Sequence, residues 1–479
     1  MHRGAADARN LSVAGTPPHR GAHAGDGQVV PGAGEQPNLL VVMADQLGAH
    51  VIDRDEDWVE TPHLDRLRRE GAEFARAYVT FPLCVPSRAS MLTGRMPHEV
   101  GIGGNRPGGA ALPEPGTRAD SLGHLLTTAG YDCAYAGKWH ATQASAPPDA
   151  GFDVLRPFGD RGLADACAEW LHARTAADRP FLLVASFDDP HTICEYARRQ
   201  PMPYGDVDPG DPRDAPPLPA NFEPAPFEAE AVRFEKHAAQ QVYGTAEYTA
   251  DDWRSYRAAY RRLVDRADAY LGRLLDALDE AGLTESTLVV FTSDHGDGDT
   301  AHRWNQKTAL FEECVRVPLI ARGPGVVPGA RHELASIGLD LLPTLLAAAG
   351  APTPDDLRGA RLPLGTGESS ASDRVIAVET RFERADPPLT RGRALYRGRY
   401  KYTVYSWGRH REQLHDLQAD PGEQRNLAVE SAFDGVRDEM RAALLRWCRD
   451  TDDHDFLKLV PLPAGTPMAV HDEIFAVPY

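Results

Sequence analysis

The stretch NLLVVMADQ, Asn38 to Gln46, runs six apolar residues together and closes on an aspartate and a glutamine. An unbroken apolar run of this length, bounded by polar residues, is the pattern of a strand covered on both faces. The same form recurs in YDCAYAGKWH (131–140), PFLLVASFDDPH (180–191) and TLVVFTSDHGD (287–297). Helical spacing fills the intervals. TPHLDRLRREG places Leu64 and Leu67 on one face and stops at Gly71. DSLGHLLTTAG offers Asp120 as an N-cap and Gly130 as a stop, LADACAEWLHART repeats the pattern, and a long helix is predicted from Trp253 to Ala281. Strands alternating with helices predict an α/β fold: a large mixed, mostly parallel sheet sandwiched by helices.

Two regions break the rhythm. Residues 195–250 are rich in Pro, Asp and Gly, too long for an ordinary connection, and are expected to be a lid or substrate insertion. From about residue 370, VIAVET, RALYRGRYKYTVY and EQLHDL read as antiparallel strands, with Arg397-Gly398 at a hairpin turn and a helix from about Phe433 to Trp447. The expected organisation is a disordered tail (1–36), a catalytic domain (37–369) and a smaller C-terminal antiparallel α+β subdomain with its tail (370–479).

The chain has 479 residues with 51 basic and 70 acidic side chains, a formal charge of −19. That balance argues against a nucleic-acid or anionic-membrane surface, so an anionic ligand must be met by local positive charge. No apolar run is long enough to span a bilayer, and the first residues lack the apolar core of a signal peptide, so a cytoplasmic location is expected. Six scattered cysteines without a CxxC pair argue against a disulfide framework, and five of them are expected to be buried free thiols.

Function is concentrated at the strand ends. Asp45 closes the first strand, Lys138 and His140 follow the second, His191 the third, and Asp294, His295 and Asp297 the fourth. In open parallel sheets that edge forms the ligand crevice. Asp45 with the Asp294-His295-Gly296-Asp297 turn forms a candidate site for a divalent cation. Its oxygens favour calcium or magnesium, and its imidazole favours manganese or zinc. His302, Arg303, Trp304 and Lys307 follow, and the cations among them are candidates to hold an anion.

LCVPSRASMLTG, Leu83 to Gly94, adds a thiol. Pro86 suits a first helical turn, which places Cys84 beside free backbone N–H groups and near Arg88. That setting lowers a thiol pKa. The residues alone describe a nucleophile aimed at an anionic electrophile beside a metal.

CVPSRASMLTGR resembles the signature of the type I sulfatases, Cys-x-Pro-Ser-Arg followed by Leu-Thr-Gly-Arg. TPHLDRLRREG, GYDCAYAGKWH, FTSDHGD, KTALFEECVRVPLI and LHDLQADPGEQRNLA resemble further sulfatase segments in family order, from about Asn38 to Leu427. The resemblance implies an alkaline phosphatase-like fold. It implies that Cys84 is oxidised by a formylglycine-generating maturation enzyme to formylglycine (3-oxoalanine), whose hydrate attacks sulfur and then expels sulfate. Arg88 would stabilise the hydrate, Lys138 and Lys307 would contact sulfate oxygens, His140 would take the proton of hemiacetal collapse, and His191 would protonate the leaving oxygen. Asp45, Gln46, Asp294, His295 and the modified Cys84 would hold the metal, with calcium expected first and manganese, magnesium or zinc as alternatives. Asp297 would lie behind these ligands.

Many family members carry a second aspartate where this chain has Gln46. The Asp-Gln pairing also resembles choline sulfatases and phosphonate monoester hydrolases of the same superfamily. The expected activity is hydrolysis of a sulfate monoester, a carbohydrate sulfate ahead of an aryl sulfate. A phosphonate monoester or phosphodiester hydrolase is the alternative, and a non-catalytic binding protein on the same scaffold a third reading. His302, Arg303, Trp304 and Arg198 are expected to line the leaving-group pocket, with Trp139 and Trp304 as candidates to stack on a sugar ring and Arg199 as a further anion contact. The partner is a small-molecule or oligosaccharide sulfate ester.

Overall fold

A computed structural model of the chain describes residues 36–53, 58–105, 119–141, 146–175, 177–365, 374–384 and 389–476. The expected tail at 1–36 lies outside them except for Gln36. Thirteen strands follow in chain order: β1 (Asn38–Asp45), β2 (Ala72–Tyr78), β3 (Asp132–Gly137), β4 (Asp153–Arg156), β5 (Phe181–Pro190), β6 (Thr287–Ser293), β7 (Arg316–Val317), β8 (Leu319–Arg322), β9 (Arg331–Ser336), β10 (Ile376–Arg381), β11 (Arg391–Arg397), β12 (Tyr400–Tyr405) and β13 (Glu412–Asp416). The helices are α1 (Pro62–Glu70), α2 (Cys84–Thr93), α3 (Leu122–Thr128), α4 (Leu163–His172), α5 (Ile193–Ala197), α6 (Glu230–Tyr243), α7 (Ala250–Glu280), α8 (Glu312–Val315), α9 (Ile337–Ala348), α10 (Asp434–Asp450), α11 (His454–Leu457) and α12 (Met468–Ala476). None of the described helices is long and apolar enough to cross a membrane.

The larger sheet runs β4-β3-β5-β1-β6-β8-β2-β7, with β9 beside β2. Strands β4, β3, β5, β1 and β6 are parallel to one another, and β8 is antiparallel to both β6 and β2. The expected mixed, mostly parallel sheet is therefore present. Its strands alternate between two cores. Leu39, Val41 and Met43 of β1 pack on the face holding α2, α3 and α9, while Leu40, Val42 and Ala44 pack on the face holding α1, α4 and α7. Burial on both faces explains the uninterrupted apolar run.

Two expected details change. Ser121, not Asp120, precedes the first turn of α3; Asp120 instead pairs with Arg95 at 2.9 Å. The 195–250 segment is not a free lid. It carries α5 and α6, and Ala231, Val232, Ala239 and Tyr243 of α6 are buried in the two cores. The composition that argued against structure belongs to residues 200–228, while 230–243 has ordinary helical spacing.

Strands β10 to β13 form a separate antiparallel sheet, with the β11–β12 turn at Gly398-Arg399 and α10 against it. This sheet belongs to the same compact unit as the first. Its leading strand is bonded into the larger layer: the Glu379 N–H donates to the Thr80 carbonyl at 2.8 Å, and the Thr380 hydroxyl donates to the Thr308 carbonyl at 2.5 Å. The Thr308 N–H in turn donates to the Pro82 carbonyl at 2.8 Å. The junction thus touches the chain just before Cys84 and just after Lys307.

Candidate active site

β3, β5, β1 and β6 are adjacent and parallel, so their carboxyl ends open side by side. Asp45, Lys138, Asp188 and Asp294 emerge there. Opposite them α2 begins at Cys84, with Leu83 extended before it and Gly94, at φ 65°, closing it in the left-handed region. All ten residues of α2 are buried.

Cys84 is 1% exposed. Its Sγ lies 3.2 Å from Lys307 Nζ, 3.2 Å from His295 Nε2 and 4.0 Å from Asp45 Oδ1. Burial alone would raise its pKa. The charges of Lys307, His295 and Lys138, with a hydrogen bond from His140, outweigh burial and hold the thiol well below its ordinary value.

Arg88, one turn further along α2, binds the strand ends together. Its Nε donates to Asp294 Oδ2 at 2.6 Å and its Nη2 to Asp45 Oδ2 at 3.0 Å. Its Nη1 donates to the Lys138 carbonyl and to Ser186 Oγ, both at 2.7 Å. A fully buried guanidinium is tolerated because its donors meet buried acceptors. Lys138 Nζ sits 2.8 Å from both Asp45 Oδ2 and Asp188 Oδ1. Burial opposes its charge, but Asp45, Cys84 and Asp188 raise its pKa well above the ordinary value; Lys307 is raised too, by Cys84 and Asp45 against the same burial. Both lysines are therefore ammonium ions at neutral pH.

Each aspartate has one oxygen on Arg88 and the other turned to His295. Asp45 Oδ1 and Asp294 Oδ1 lie 3.5 and 3.6 Å from His295 Nε2. His295 Nδ1 lies 3.0 Å from the Gly296 carbonyl, an acceptor, so that nitrogen carries the proton. Nε2 then presents a lone pair to two carboxylate oxygens and a thiol. Either a second proton on Nε2, which Asp294 and Cys84 favour against burial, or a cation among them meets that arrangement. Asp45, Cys84, Asp294 and His295 each offer one ligand atom, all within 4.8 Å of one another and all buried. That span fits the 2.3–2.6 Å oxygen distances of calcium. The residues present therefore fit a divalent metal. Gly296 permits the turn, because a Cβ there would lie 2.0 Å from the Glu313 carbonyl oxygen.

Gln46, expected among the ligands, is held by its buried neighbours. It takes a left-handed φ of 71°, and its carboxamide donates to Asp297 Oδ2 at 2.6 Å and faces Cys194 Sγ at 3.8 Å. Asp297 also accepts from the Tyr256 hydroxyl at 3.0 Å, while the Tyr260 hydroxyl donates to the Gln46 carbonyl at 2.5 Å. Asp297 is thus buried between Gln46 and Tyr256. His140 lies at the thiol, and its Nδ1 is buried without a hydrogen-bond partner. His191 is at the rim, 22% exposed, with Nδ1 3.9 Å from Asp188 Oδ1.

The expected leaving-group residues scatter. Trp304 is 2% exposed, packed against Phe311 and Phe382, and donates to the Lys307 carbonyl at 3.1 Å; it is a core residue and cannot stack on a sugar. His302 is fully buried, stacked on Phe311 at 3.9 Å. Burial, with Lys236, His415 and Lys401 nearby, holds it neutral. It groups with Glu313 and Glu423 in a second cluster, where Lys401, 2.8 Å from Glu423, already supplies the cation. Left-handed backbone at Asp299, Thr300, His302 and Arg303 turns this loop inward, a course that local sequence does not reveal. Arg303 pairs with Glu223 at 2.7 Å, and Arg198 stacks over Tyr243 at 4.3 Å. Trp139 packs edge-on to Tyr135 at 5.1 Å. Arg199 lines a cleft of about 510 Å³ with Tyr196, Met202 and Tyr248, which contains none of the strand-end residues. Sequence reasoning passed over Ser186 and Asp188, the partners of Arg88 and Lys138. The signal was the polar close of SFDDPH, the same one that marked Asp45.

A sulfatase family model matches residues 37–159 and 158–351, and a model for the C-terminal part of N-sulphoglucosamine sulphohydrolase matches residues 300–450. The chain belongs to the sulfatase family. It is 30% identical over 453 residues to a Δ4,5-hexuronate-2-O-sulfatase of Bacteroides thetaiotaomicron, covering 89% of this chain and 92% of the relative. A solved 2-O GAG sulfatase is similar with a TM-score of 0.74 and 27% identity, over 88% of this chain and 93% of that one. A phosphonate monoester hydrolase of Agrobacterium radiobacter shares the fold, with a TM-score of 0.67 and 22% identity over 87% and 96% of the two chains. This sulfatase is thus a sulfuric ester hydrolase of type I, in the alkaline phosphatase superfamily. Membership implies a divalent metal and a formylglycine, and the cluster at Asp45, Cys84, Asp294 and His295 is the candidate seat of both.

Proposed function

We propose that this sulfatase hydrolyses the sulfate monoester of a saccharide. The observation that carries the reading is Cys84, held 3.2 Å from both the Lys307 ammonium and the metal-cluster imidazole of His295. The saccharide class is supported by the hexuronate-2-O-sulfatase to which the chain is similar across most of its length.

Formylglycine made from Cys84 would supply the nucleophile at this position. Asp45, Asp294 and His295 would hold the metal, which supplies Lewis acidity toward a sulfate oxygen. Calcium is the proposed ion, because carboxylate oxygens dominate the set. The chain's own residues account for the rest. Lys138 and Lys307 approach the reacting position from two sides and stabilise negative charge on sulfate oxygens, without reorganising during reaction. Arg88 holds Asp45 and Asp294 in place, and Lys138 is the main charge that keeps Asp45 ionised. His140, at the Cys84 side chain, is placed to take a proton there. His191, on the solvent side with Nδ1 3.9 Å from Asp188 Oδ1, is placed to protonate the departing oxygen. Because Cys84 is 1% exposed, its conversion by a formylglycine-generating enzyme must precede closure of the pocket.

A second reading rests on Gln46, which brings no charge to the end of β1; a phosphonate monoester hydrolase would use the same groups. Assays of the purified, matured protein on 2-O-sulfated unsaturated hexuronate, an aryl sulfate and an aryl phosphonate separate the readings. The saccharide sulfate should have the highest kcat/KM. A higher kcat/KM on the phosphonate would replace the first reading with the second.

A further inference from the structure

Trp304 is packed away and Trp139 is half-buried against Tyr135, yet a more open aromatic ring stands at the site. Phe158, in the loop between β4 and α4, is 62% exposed, and the Lys138 ammonium lies over its ring, 5.9 Å from the centroid. Lys138 is the same cation that contacts Asp45 and Asp188 at the strand ends. An exposed phenyl on a loop is ordinarily free to turn away. This one is held in place from two residues along. Asp160, 2% exposed, accepts the N–H of Asp188 at 2.8 Å with one oxygen and the N–H of Asp189 at 2.9 Å with the other. The loop is thereby pinned to the end of β5, beside the carboxylate that orients Lys138. Tyr204 completes this rim, its hydroxyl donating to Asp188 Oδ2 at 3.1 Å.

We propose that Phe158 is the platform on which the leaving group's sugar ring rests, selecting a ring-bearing sulfate ester over an acyclic one. A pyranose has an apolar face of C–H bonds, which stacks on an aromatic face, and a sulfate held by Lys138 brings its ring within reach of Phe158. Phe158 thus acts on binding of the sugar, and Lys138 on the sulfate. The inference rests on a saccharide being the substrate.

The test compares Phe158→Ala, Phe158→Leu and Phe158→Trp in the matured enzyme, using 2-O-sulfated unsaturated hexuronate, a short alkyl sulfate and inhibition by inorganic sulfate. Phe158→Ala should raise KM for the saccharide sulfate roughly tenfold, with kcat little changed. KM for the alkyl sulfate and the inhibition constant for inorganic sulfate should stay put. Phe158→Trp should restore saccharide KM, and Phe158→Leu should restore it only in part. Unchanged saccharide KM in Phe158→Ala, or an equal rise for the alkyl sulfate, overturns the platform while leaving the saccharide reading intact. A wild-type enzyme active on the alkyl sulfate but on no saccharide sulfate overturns both. Equal melting temperatures across the variants exclude a folding effect.

Discussion

Lys138 shows how much depends on one side chain. It meets Asp45, Asp188 and the face of Phe158 at once, and its charge is sustained in a buried place by those carboxylates. Lys138→Met should lower kcat by roughly 10²–10³-fold, the usual effect of removing a buried electrostatic donor to a transition state. Saccharide hydrolysis under saturating substrate is the measurement. Trp304→Ala should behave differently: it should destabilise the protein by about 3–5 kcal/mol in denaturant unfolding while leaving KM of the folded enzyme unchanged. A rise in KM would return Trp304 to the substrate pocket. Asp45, Cys84, Arg88, Lys138, Asp294, His295 and Lys307 were legible because each stands at a strand end or in a motif whose spacing fixes its direction. His302 and Trp304 were not, because left-handed residues decide which way that loop folds and nothing in the neighbouring residues requires them.

At the scale of elements, the parallel strand ends collect like charge in a buried place. Two buried aspartates face one imidazole, and one arginine holds them on the other side. Removing the bound metal should therefore cost stability as well as turnover. Dialysis against a chelator is expected to lower Tm and abolish activity together, and calcium should restore both; an unchanged Tm would separate the cluster from metal binding. The strands and most helices were readable from periodicity, including the long α7, whose predicted start fell three residues after Ala250. What periodicity omitted was α7's role at the site. Tyr256 and Tyr260 reach Asp297 and Gln46 from a helix that looks like plain scaffold in sequence. In the 195–250 segment, proline and glycine outside α6 masked that helix's buried face, while Tyr204 of the same segment reaches Asp188.

Across the whole molecule, the two sheets are joined by a charge. His98, just after α2, has Nδ1 at 2.5 Å from Glu379 of β10 and Nε2 at 2.9 Å from the Thr451 carbonyl beyond α10. Both neighbours are acceptors, which calls for the doubly protonated ring. Burial opposes that form, but Glu379 overrides it and raises the pKa from 6.5 to about 9. A raised folded pKa means that the stabilisation is complete below pH 6.5 and is lost as pH climbs through about 9. Wild-type Tm should fall over that window more steeply than Tm of His98→Gln, as followed by thermal melts at pH 6 and pH 10. Parallel slopes would remove the charge from the junction.

That junction has a consequence for descent. β10 holds, through Thr80 and Thr308, the backbone just before Cys84 and just after Lys307. The smaller sheet is therefore not an interchangeable module: recombination that exchanged it between relatives would shift Lys307 unless the 304–308 loop travelled with it. Variation in the C-terminal third is thus a route by which lineages can retune turnover.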